Sequence, residues 1–187
     1  MFDKALKRLA SALDKAKLPY MVIGGQAVMI YGEPRFTRDI DITLGVGTER
    51  LDQILSVCKK LSLKPLVRDI KHFVEQTMTL PAMDGETGVR VDFMFSFTPY
   101  EEEAIRRTRK IKIKGRAVHF ASPEDVIIHK IFAGRPRDTE DVRSILLASH
   151  SLDVGYIKRW LKEFDKTFPG KNYLRAFKKI QKIREDV

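Results

Sequence analysis

The sequence predicts an α+β protein in which helices flank a mixed β-sheet and a helical C-terminal region follows. In several short segments between about residues 20 and 120, apolar residues alternate with polar ones, which is typical of β-strands with one buried face. Elsewhere apolar residues recur every three or four positions, which is typical of amphipathic helices. The 187 residues suffice for one well-buried core, or for a core with a small helical annex.

The first sixty residues alternate between helices and strands. Apolar residues at positions 2, 6, 9 and 13 predict an amphipathic helix that ends before Pro19. The next segments predict, in order, a short buried strand in YMVIGG, a helix over 26–31, a strand in RDIDITLGV and a helix over 48–61. The two glycines that close the first strand predict a turn into the following helix.

The middle of the chain, from about 63 to 120, predicts several strands and one short helix. Period-two apolar residues predict strands in FVEQTMTLP, GVRVDFMFSF, RKIKI and AVHFA, the last two joined by a turn at Lys114-Gly115. A short helix near 99–107 interrupts them.

From Ser122 onward the pattern is helical. The sequence Ser-Pro-Glu-Asp at 122–125 is typical of a capping box with proline in the first helical position. Gly134 ends this helix, and we expect Asp138 to open the next one, with two further helices after it.

The net charge of +10 is unevenly distributed. Residues 158–187 contain ten Lys/Arg and four Asp/Glu, a surplus of +6. Such a surplus favours a polyanionic partner, for which nucleic acid is the specific interpretation, although a solvated basic helix face has the same composition.

Cysteine content and hydropathy exclude several classes of protein. The single cysteine, Cys58, excludes an internal disulfide and a cysteine-based metal site, and suits a reducing cytoplasm. We expect it to be a buried structural thiol rather than a nucleophile. The longest apolar runs are too short to span a bilayer, and charges interrupt every stretch of the N-terminus that could serve as a signal peptide. We therefore expect a cytoplasmic protein without a membrane partner.

The segment RDIDITLGV places two carboxylates on one face of a strand. Because side chains alternate along a strand, burial of the isoleucines puts Asp39 and Asp41 together on the opposite face. Two such charges, about 5–7 Å apart, repel each other, and a hard divalent cation such as Mg²⁺ offsets that repulsion. Taken alone, the pair is also compatible with the solvated face of an amphipathic strand.

Gly24 and Gly25 lie where a strand meets a helix, and this arrangement predicts an anion site. Unpaired N–H groups at the start of a helix bind phosphates, and glycine lets a ligand approach the backbone closely. The thirteen residues between Gly25 and Asp39 allow a helix and a return on the neighbouring strand, so the phosphate site and the carboxylates can lie side by side.

One pattern in this sequence resembles the signature of the DNA polymerase β nucleotidyltransferase superfamily. It consists of an apolar residue, Gly-Gly, a gap of thirteen residues and then Asp-Ile-Asp. Members of the superfamily carry a third carboxylate on a later strand, and Asp92 in GVRVDFMFSF matches that position. The resemblance implies that Asp39 and Asp41 bind two Mg²⁺ ions and that Asp92 binds one of them and helps to deprotonate an acceptor hydroxyl. The hydroxyl would attack the α-phosphorus of an NTP such as ATP, and pyrophosphate would leave.

A longer stretch, from about residue 20 to 147, resembles minimal nucleotidyltransferases related to the AbiEii-type abortive-infection toxins. The matching blocks are GGQAVMIYGEPRFTRDIDI and SPEDVIIHKIFAGRPRDTEDVRSIL. Together with the pattern of strands and helices, this resemblance leads us to expect a nucleotidyltransferase catalytic core over residues 1–121 and a helical C-terminal region over 122–187 packed on it. The resemblance also raises a toxin–antitoxin context with a toxin or antitoxin as protein partner. Two departures from the family pattern matter. Gly-Gly replaces the usual Gly-Ser, so we expect no contact of a serine hydroxyl with phosphate. The sequence also lacks the larger additional domain of the longer toxins, which counts against a toxin role.

The resemblance also suggests further nucleotide-binding residues. Lys130 falls within an apolar helical arc, so its side chain either extends to solvent along its stem or enters a polar pocket, and the matching family lysine contacts the NTP phosphates. Asp138 and Asp141 have the spacing of a helix N-cap and N3 residue, but the family places an aspartate near the nucleotide, which makes Asp141 a candidate. Arg35 is a candidate contact to the phosphates or the acceptor, and Thr37 is either a nucleotide contact or a strand-entry residue.

The leading hypothesis is therefore transfer of an NMP from an NTP to an acceptor hydroxyl. The candidate acceptors are the 3′ end of a tRNA or another RNA bound through the basic C-terminal helices, a protein side chain, or a small molecule. One alternative is a small-molecule adenylyltransferase similar to the aminoglycoside-modifying enzymes. The other is a non-catalytic nucleotide-binding or antitoxin module.

Overall fold

The computed structural model describes residues 1–96, 98–149 and 151–185, the last three by their backbone alone. The predicted strand GVRVDFMFSF and the predicted C-terminal region end at Phe97 and Val187, which lie outside the described residues. The chain divides into two compact units. The first comprises residues 1–26 and 36–121, and the second comprises residues 27–35 and the chain from Ser122 onward.

The first unit contains a seven-stranded sheet and several helices. Its elements are α1 Phe2–Lys15, β1 Tyr20–Ile23, the start of α2 Gly24–Tyr31, β2 Asp39–Leu44, a 3₁₀ turn Thr48–Arg50, α3 Leu51–Leu61, β3 Leu63–Pro65, α4 Ile70–Thr77, β4 Thr79–Asp84, β5 Arg90–Phe95, α5 Pro99–Arg106, β6 Arg109–Ile113 and β7 Arg116–Phe120. The strand order is β3-β4-β5-β2-β1-β7-β6, and parallel and antiparallel pairs both occur. The predicted α+β class with a mixed sheet is confirmed.

Strand β2 lies near the middle of the sheet, between β1 and β5. It runs antiparallel to β1 and parallel to β5, with Ile40 opposite Val91 and Ile42 opposite Phe93. All four of these side chains are fully buried. Their burial fixes the register of both strands, because a shift by one residue would turn this apolar set to the opposite face. The alternation predicted for RDIDITLGV and GVRVDFMFSF is confirmed.

The structure corrects two element predictions in this unit. Most of FVEQTMTLP is not strand, because its first five residues belong to α4 and β4 begins only at Thr79. The Asp69 carboxylate caps α4 by accepting a hydrogen bond from the His72 backbone N–H at 3.1 Å, and Val74 is fully buried, so helix packing overrides the apparent alternation. The first strand ends at Ile23, and α2 begins at Gly24, two residues earlier than predicted.

Cys58 on α3 is buried, as predicted, with 2% of its surface exposed. Burial raises the pKa of its thiol to about 12, so the reactive thiolate is scarce at neutral pH. No helix among the described residues combines the length and apolar character that crossing a bilayer requires.

In its described part the second unit is helical and contains the end of α2, α6 Pro123–Ala133, α7 Pro136–Ala148, α8 Val154–Thr167 and α9 Tyr173–Glu185. The Ser122 hydroxyl caps α6 by accepting from the Asp125 N–H at 3.2 Å, and Gly134 ends the helix in a left-handed conformation, as predicted.

The predicted start of the next helix is wrong. Helix α7 begins at Pro136 with Arg135 as its N-cap, and Asp138 is the N3 residue whose carboxylate accepts from the Arg135 N–H at 3.1 Å. Asp141 is therefore not a cap residue but lies within the helix, where it is 3% exposed. Its buried carboxylate needs another explanation than capping.

Candidate active site

Three aspartates meet on one face of the sheet in the first unit. Asp41 on β2 lies directly opposite Asp92 on β5, and alternation places Asp39 on the same face of β2. One carboxylate oxygen from each of the three lies within 4.8 Å of the others. All three side chains are half-buried, so solvent screens their mutual repulsion only in part.

Gly24 borders this cluster from the neighbouring strand. Strand β1 ends at Ile23, which lies opposite Asp41, and Gly24 follows with φ +63°. A Cβ atom at Gly24 would lie 1.8 Å from Asp41 Oδ2, so any larger residue would displace that carboxylate. The glycine therefore makes room for Asp41, a role that its predicted place in an anion site did not include. Gly25 follows in the first turn of α2 and is buried.

Thr37 contacts a carboxylate of the cluster. Its hydroxyl donates to Asp39 Oδ1 at 3.1 Å, and the residue is 6% exposed. A hydrogen bond to the charged form stabilises the ionised carboxylate and restricts its rotation. In this structure Thr37 orients Asp39; its predicted contact with a nucleotide stays a prediction.

Arg90 is a member of the cluster that the sequence analysis did not single out. It lies opposite Asp39 in the register, and its Nε donates to Asp92 Oδ1 at 2.9 Å. The hydrogen bond and charge of Asp92, with smaller contributions from Asp39 and Asp41, raise the pKa of Arg90. The guanidinium thus supplies a positive charge to a group of three negative ones. Arg90 and Asp92 are two residues apart on β5 and therefore share a face, and this spacing is the sequence signal that could have identified Arg90.

Gln26 is a second residue that the sequence analysis did not assign. It lies in the first turn of α2, two residues after Gly24, and is 4% exposed. Its side-chain Nε2 has no hydrogen-bond partner among the described residues. An unsatisfied buried amide costs about 1–3 kcal/mol, so a donor kept in that state is a candidate for ligand binding.

The predicted residues Arg35, Lys130 and Asp141 lie together in the second unit, as a buried ion-pair network. The Lys130 ammonium lies 2.8 Å from Asp138 Oδ1 and 2.8 Å from Asp141 Oδ2. Arg35 binds Asp141 through two nitrogens, at 2.7 and 2.9 Å. Lys130 is 6% exposed, so its side chain enters a polar environment and does not extend to solvent.

Charge balance in this network is reflected in the titration of Asp138. Burial alone would raise the pKa of this carboxyl, but hydrogen bonds from Lys130 and Arg135 outweigh burial and lower it. Asp138 is therefore ionised at neutral pH. The network gives Lys130 and Asp141 a structural role whether or not they contact a nucleotide.

The donor set of the first unit fits a hard divalent cation. All three side chains offer carboxylate oxygens, and magnesium is usually bound by one or two carboxylates supplemented by phosphate oxygens and water. Oxygens on one magnesium ion lie up to about 4.2 Å apart, so small side-chain rotations would bring oxygens within 4.8 Å onto an ion. Mutual repulsion among the carboxylates favours such binding.

The fold is similar to that of several solved structures. One is ANT(2″)-Ia in complex with adenylyl-2″-tobramycin, with 20% identity and a TM-score of 0.59 over 88% of this chain and 97% of that chain. Another is an antigenic nucleotidyltransferase-like protein from Paracoccidioides brasiliensis, with 16% identity and a TM-score of 0.59 over 94% of this chain and 91% of that chain. A third is the lincosamide antibiotic adenylyltransferase LnuA with lincomycin bound, with 14% identity and a TM-score of 0.51 over 73% of this chain and 91% of that chain. At these identities the similarity shows the fold alone. No curated protein matches the chain.

Comparison of the sequence with family models shows the family of the chain as well as its fold. Residues 1–186 match the family described as "Nucleotidyltransferase of unknown function (DUF6036)". The finer resemblance to AbiEii-type toxins is not part of this match and stays a prediction. Because the match covers more than half of the chain, the protein belongs to this nucleotidyltransferase family and is an enzyme of that class.

Proposed function

We propose that this enzyme transfers an NMP from an NTP to an acceptor hydroxyl, with two Mg²⁺ ions held by Asp39, Asp41 and Asp92. The observation that carries the proposal is the convergence of three carboxylates within 4.8 Å on adjacent strands. A protein that only binds nucleotides has no need of three mutually repelling carboxylates on one face, which argues against a non-catalytic module.

Each residue around the triad receives a distinct role in this proposal. Asp39 and Asp41 would hold the metal ions, with Thr37 orienting the first carboxylate and Gly24 leaving space for the second. The backbone N–H groups of Gly24 and Gly25, at the start of α2, bind phosphate oxygens. The metal ions, when bound, neutralise charge on the transferring phosphoryl group.

Asp92 is the proposed general base for the acceptor hydroxyl. Its Oδ1 accepts from Arg90, and its second oxygen takes the proton of the acceptor hydroxyl. The new bond joins the acceptor oxygen to the α-phosphorus, the bond from that phosphorus to the bridging oxygen breaks, and pyrophosphate leaves. Lys130, Arg35 and Asp141 stay proposed nucleotide contacts on the strength of the family resemblance alone.

An RNA acceptor, such as the 3′ end of a tRNA, is favoured over a cationic small molecule by charge. A net charge of +10 attracts a polyanion and repels an aminoglycoside-like substrate, at distances up to a Debye length of about 8–10 Å. A small-molecule acceptor is the second candidate, because ANT(2″)-Ia, with the same fold, was captured with adenylyl-2″-tobramycin. A toxin–antitoxin context rests on resemblance only.

The test is transfer of label from each α-³²P-NTP, with magnesium, to total tRNA, to total protein and to a panel of aminoglycosides and lincosamides. Asp41→Asn should lower transfer by roughly a hundredfold or more, because the carboxylate acts on the transition state. Asp52→Asn, at an exposed aspartate on α3, is the matched control and should transfer normally. If label from none of the NTPs enters any of these acceptors while NTP still binds to the wild-type protein, the proposal is wrong.

A further inference from the structure

The face of the sheet that carries the triad continues past Asp92 onto β4 and β3. Pro81 on β4 lies directly opposite Asp92, and the backbone N–H of Leu66 donates to the Pro81 carbonyl at 2.9 Å, which continues the β3–β4 register by one residue. Met83, two residues further along β4, has the same orientation as Pro81 and lies opposite Arg90. We call Leu66, Pro81 and Met83 the β3–β4 platform.

The platform is apolar and accessible to a ligand. Leu66 is 48% exposed and Met83 is half-buried, whereas Pro81, next to Asp92, is buried. A single exposed leucine is common on soluble proteins, but this one lies in the same row as a triad carboxylate, two strands or about 10 Å from Asp92. Methionine is flexible and polarisable, so it adapts to apolar groups of different shapes. The platform can therefore hold an apolar group beside Asp92.

The charged side chains that border the platform are cations. Lys64 on β3 is exposed and lies opposite Met83, and Arg90, on the other side of Met83, is 50% exposed. The sole acid within the described strands β3 and β4 is Asp84, and alternation turns it to the opposite face of the sheet, where it pairs with Arg8. A positively charged acceptor on the platform would therefore meet like charges, which disfavours its binding.

The direction of the proposed reaction puts the acceptor on this side of the triad. In the proposed function the phosphates bind at Gly24 and Gly25, which follow β1, and β1 and β5 lie on opposite sides of β2. The attacking and leaving oxygens of phosphoryl transfer lie roughly in line across the phosphorus. Because pyrophosphate leaves on the β1 side, the acceptor hydroxyl must approach from the side of Asp92 and the platform.

We propose that the β3–β4 platform is the acceptor subsite, and that it selects an acceptor whose hydroxyl is carried by an apolar group without positive charge. The inference rests on the proposed function and deepens it, because it names the chemistry of the group next to the reacting hydroxyl. A negative charge at the far end of that group favours binding, since Lys64 and Arg90 attract it. Polycationic acceptors of the aminoglycoside kind are selected against.

Three benzyl alcohols that differ only at the para position test the charge preference on one apolar ring. They are benzyl alcohol, 4-(hydroxymethyl)benzoate and 4-(aminomethyl)benzyl alcohol. Their binding is measured by NMR titration of the wild-type enzyme with Mg²⁺ and α,β-methylene-ATP, whose carbon bridge prevents transfer. Two cations about 8 Å from the para group, in water with about 0.1 M salt, should favour the carboxylate over the ammonium about fivefold, with the neutral alcohol between them.

Two variants separate the contributions of charge and apolar contact. Lys64→Glu should abolish the preference for the carboxylate, because the reversed charge cancels that of Arg90. Leu66→Ser should weaken binding of all three alcohols about three- to fivefold and leave the preference unchanged, because only apolar contact is lost. Lys112→Glu and Ile113→Ser, on β6 at the far edge of the sheet, are the matched controls and should bind like the wild type. Thermal melting checks that each variant folds.

Several outcomes would overturn the proposal. Equal binding of the three alcohols, or tightest binding of the ammonium compound, would contradict the charge preference. Unchanged binding in Leu66→Ser, or no binding of any of the three, would show that the acceptor does not lie on the platform. None of these measurements involves turnover. Failure of the proposed function would appear instead as absence of label transfer from every NTP while the alcohols bind as expected, and it would remove the acceptor role but not the binding site.

Discussion

Replacing Arg90 with glutamine should increase the affinity of the triad for divalent cations in the absence of nucleotide. The guanidinium donates to Asp92 at 2.9 Å, and the negative charges of Asp39 and Asp41 also act on it. A metal ion at the triad must therefore displace this hydrogen bond or bind beside a positive charge. Glutamine removes the charge and retains a polar side chain of moderate length.

The magnitude follows from Coulomb's law. A charge of +1 and a divalent ion about 6 Å apart repel by about 1.4 kcal/mol at the dielectric constant of water, which is appropriate because Arg90 is 50% exposed. Screening at 0.1 M salt reduces this to about 0.8 kcal/mol. Arg90→Gln should therefore bind Mn²⁺ about three- to fourfold more tightly at 0.1 M salt, and close to tenfold more tightly at very low salt.

Electron paramagnetic resonance of free Mn²⁺ measures this affinity without any turnover. Arg90→Lys keeps the charge and should stay close to the wild type. Lys112→Gln removes one positive charge on β6, three strands away from β2, where screening should hide its effect. Weaker Mn²⁺ binding in Arg90→Gln would refute the reasoning, and would mean that Arg90 positions Asp92 for the metal and does not compete with it.

Three further variants test the geometry of the two units. Gly24→Ala should lower Mn²⁺ affinity and transfer rate at least tenfold, because its Cβ would lie 1.8 Å from Asp41 Oδ2; unchanged values would show that the carboxylate has another productive position. Gln26→Leu should melt at the same or a higher temperature than the wild type, because an unpartnered buried amide is lost. Its KM for NTP should rise. A lower melting temperature with a normal KM would show that Gln26 serves folding and not NTP binding. Lys130→Met should lower the free energy of unfolding by about 3–5 kcal/mol at pH 7, as measured by denaturant titration, because buried carboxylates lose a partner. The pKa of Asp138 is lowered in the folded state, so the stabilisation from its ionised carboxylate is fully present above the unfolded pKa of about 3.9 and is lost as pH falls through the folded pKa. In Lys130→Met, the pH of acid unfolding should therefore rise.

Local sequence was sufficient to predict the part of the site that depends on one strand. Alternation in RDIDITLGV correctly placed Asp39 and Asp41 on one face, because burial of the intervening isoleucine permits no other register. Strand β5 was predicted in the same way. The helix start at Ser122 followed from capping, which involves only neighbouring residues.

Contacts between segments that are distant in the sequence were harder to predict. That Asp41 pairs with Asp92 depends on the order of strands in the sheet, and it could be inferred only through family resemblance. The space that Gly24 leaves for Asp41 depends on the β1–β2 register, which the sequence does not specify. The error at α4 arose because the segment taken as a strand began at Phe73, inside the helix, and so left out Ile70, which with Phe73 and Val74 has the spacing of a helix face.

The position of β2 in the sheet has a consequence for the stability of the site. Because β2 pairs with β5 along its whole length and with β1 from Asp41 onward, Asp41 cannot fray as a residue of an edge strand can. Separating the triad by backbone motion requires breaking the centre of the sheet, which amounts to unfolding the first unit. The amide hydrogens of β2 should therefore exchange with solvent no faster than the first unit unfolds. A destabilising substitution far from the aspartates would then shorten the lifetime of the aspartate triad without contacting it.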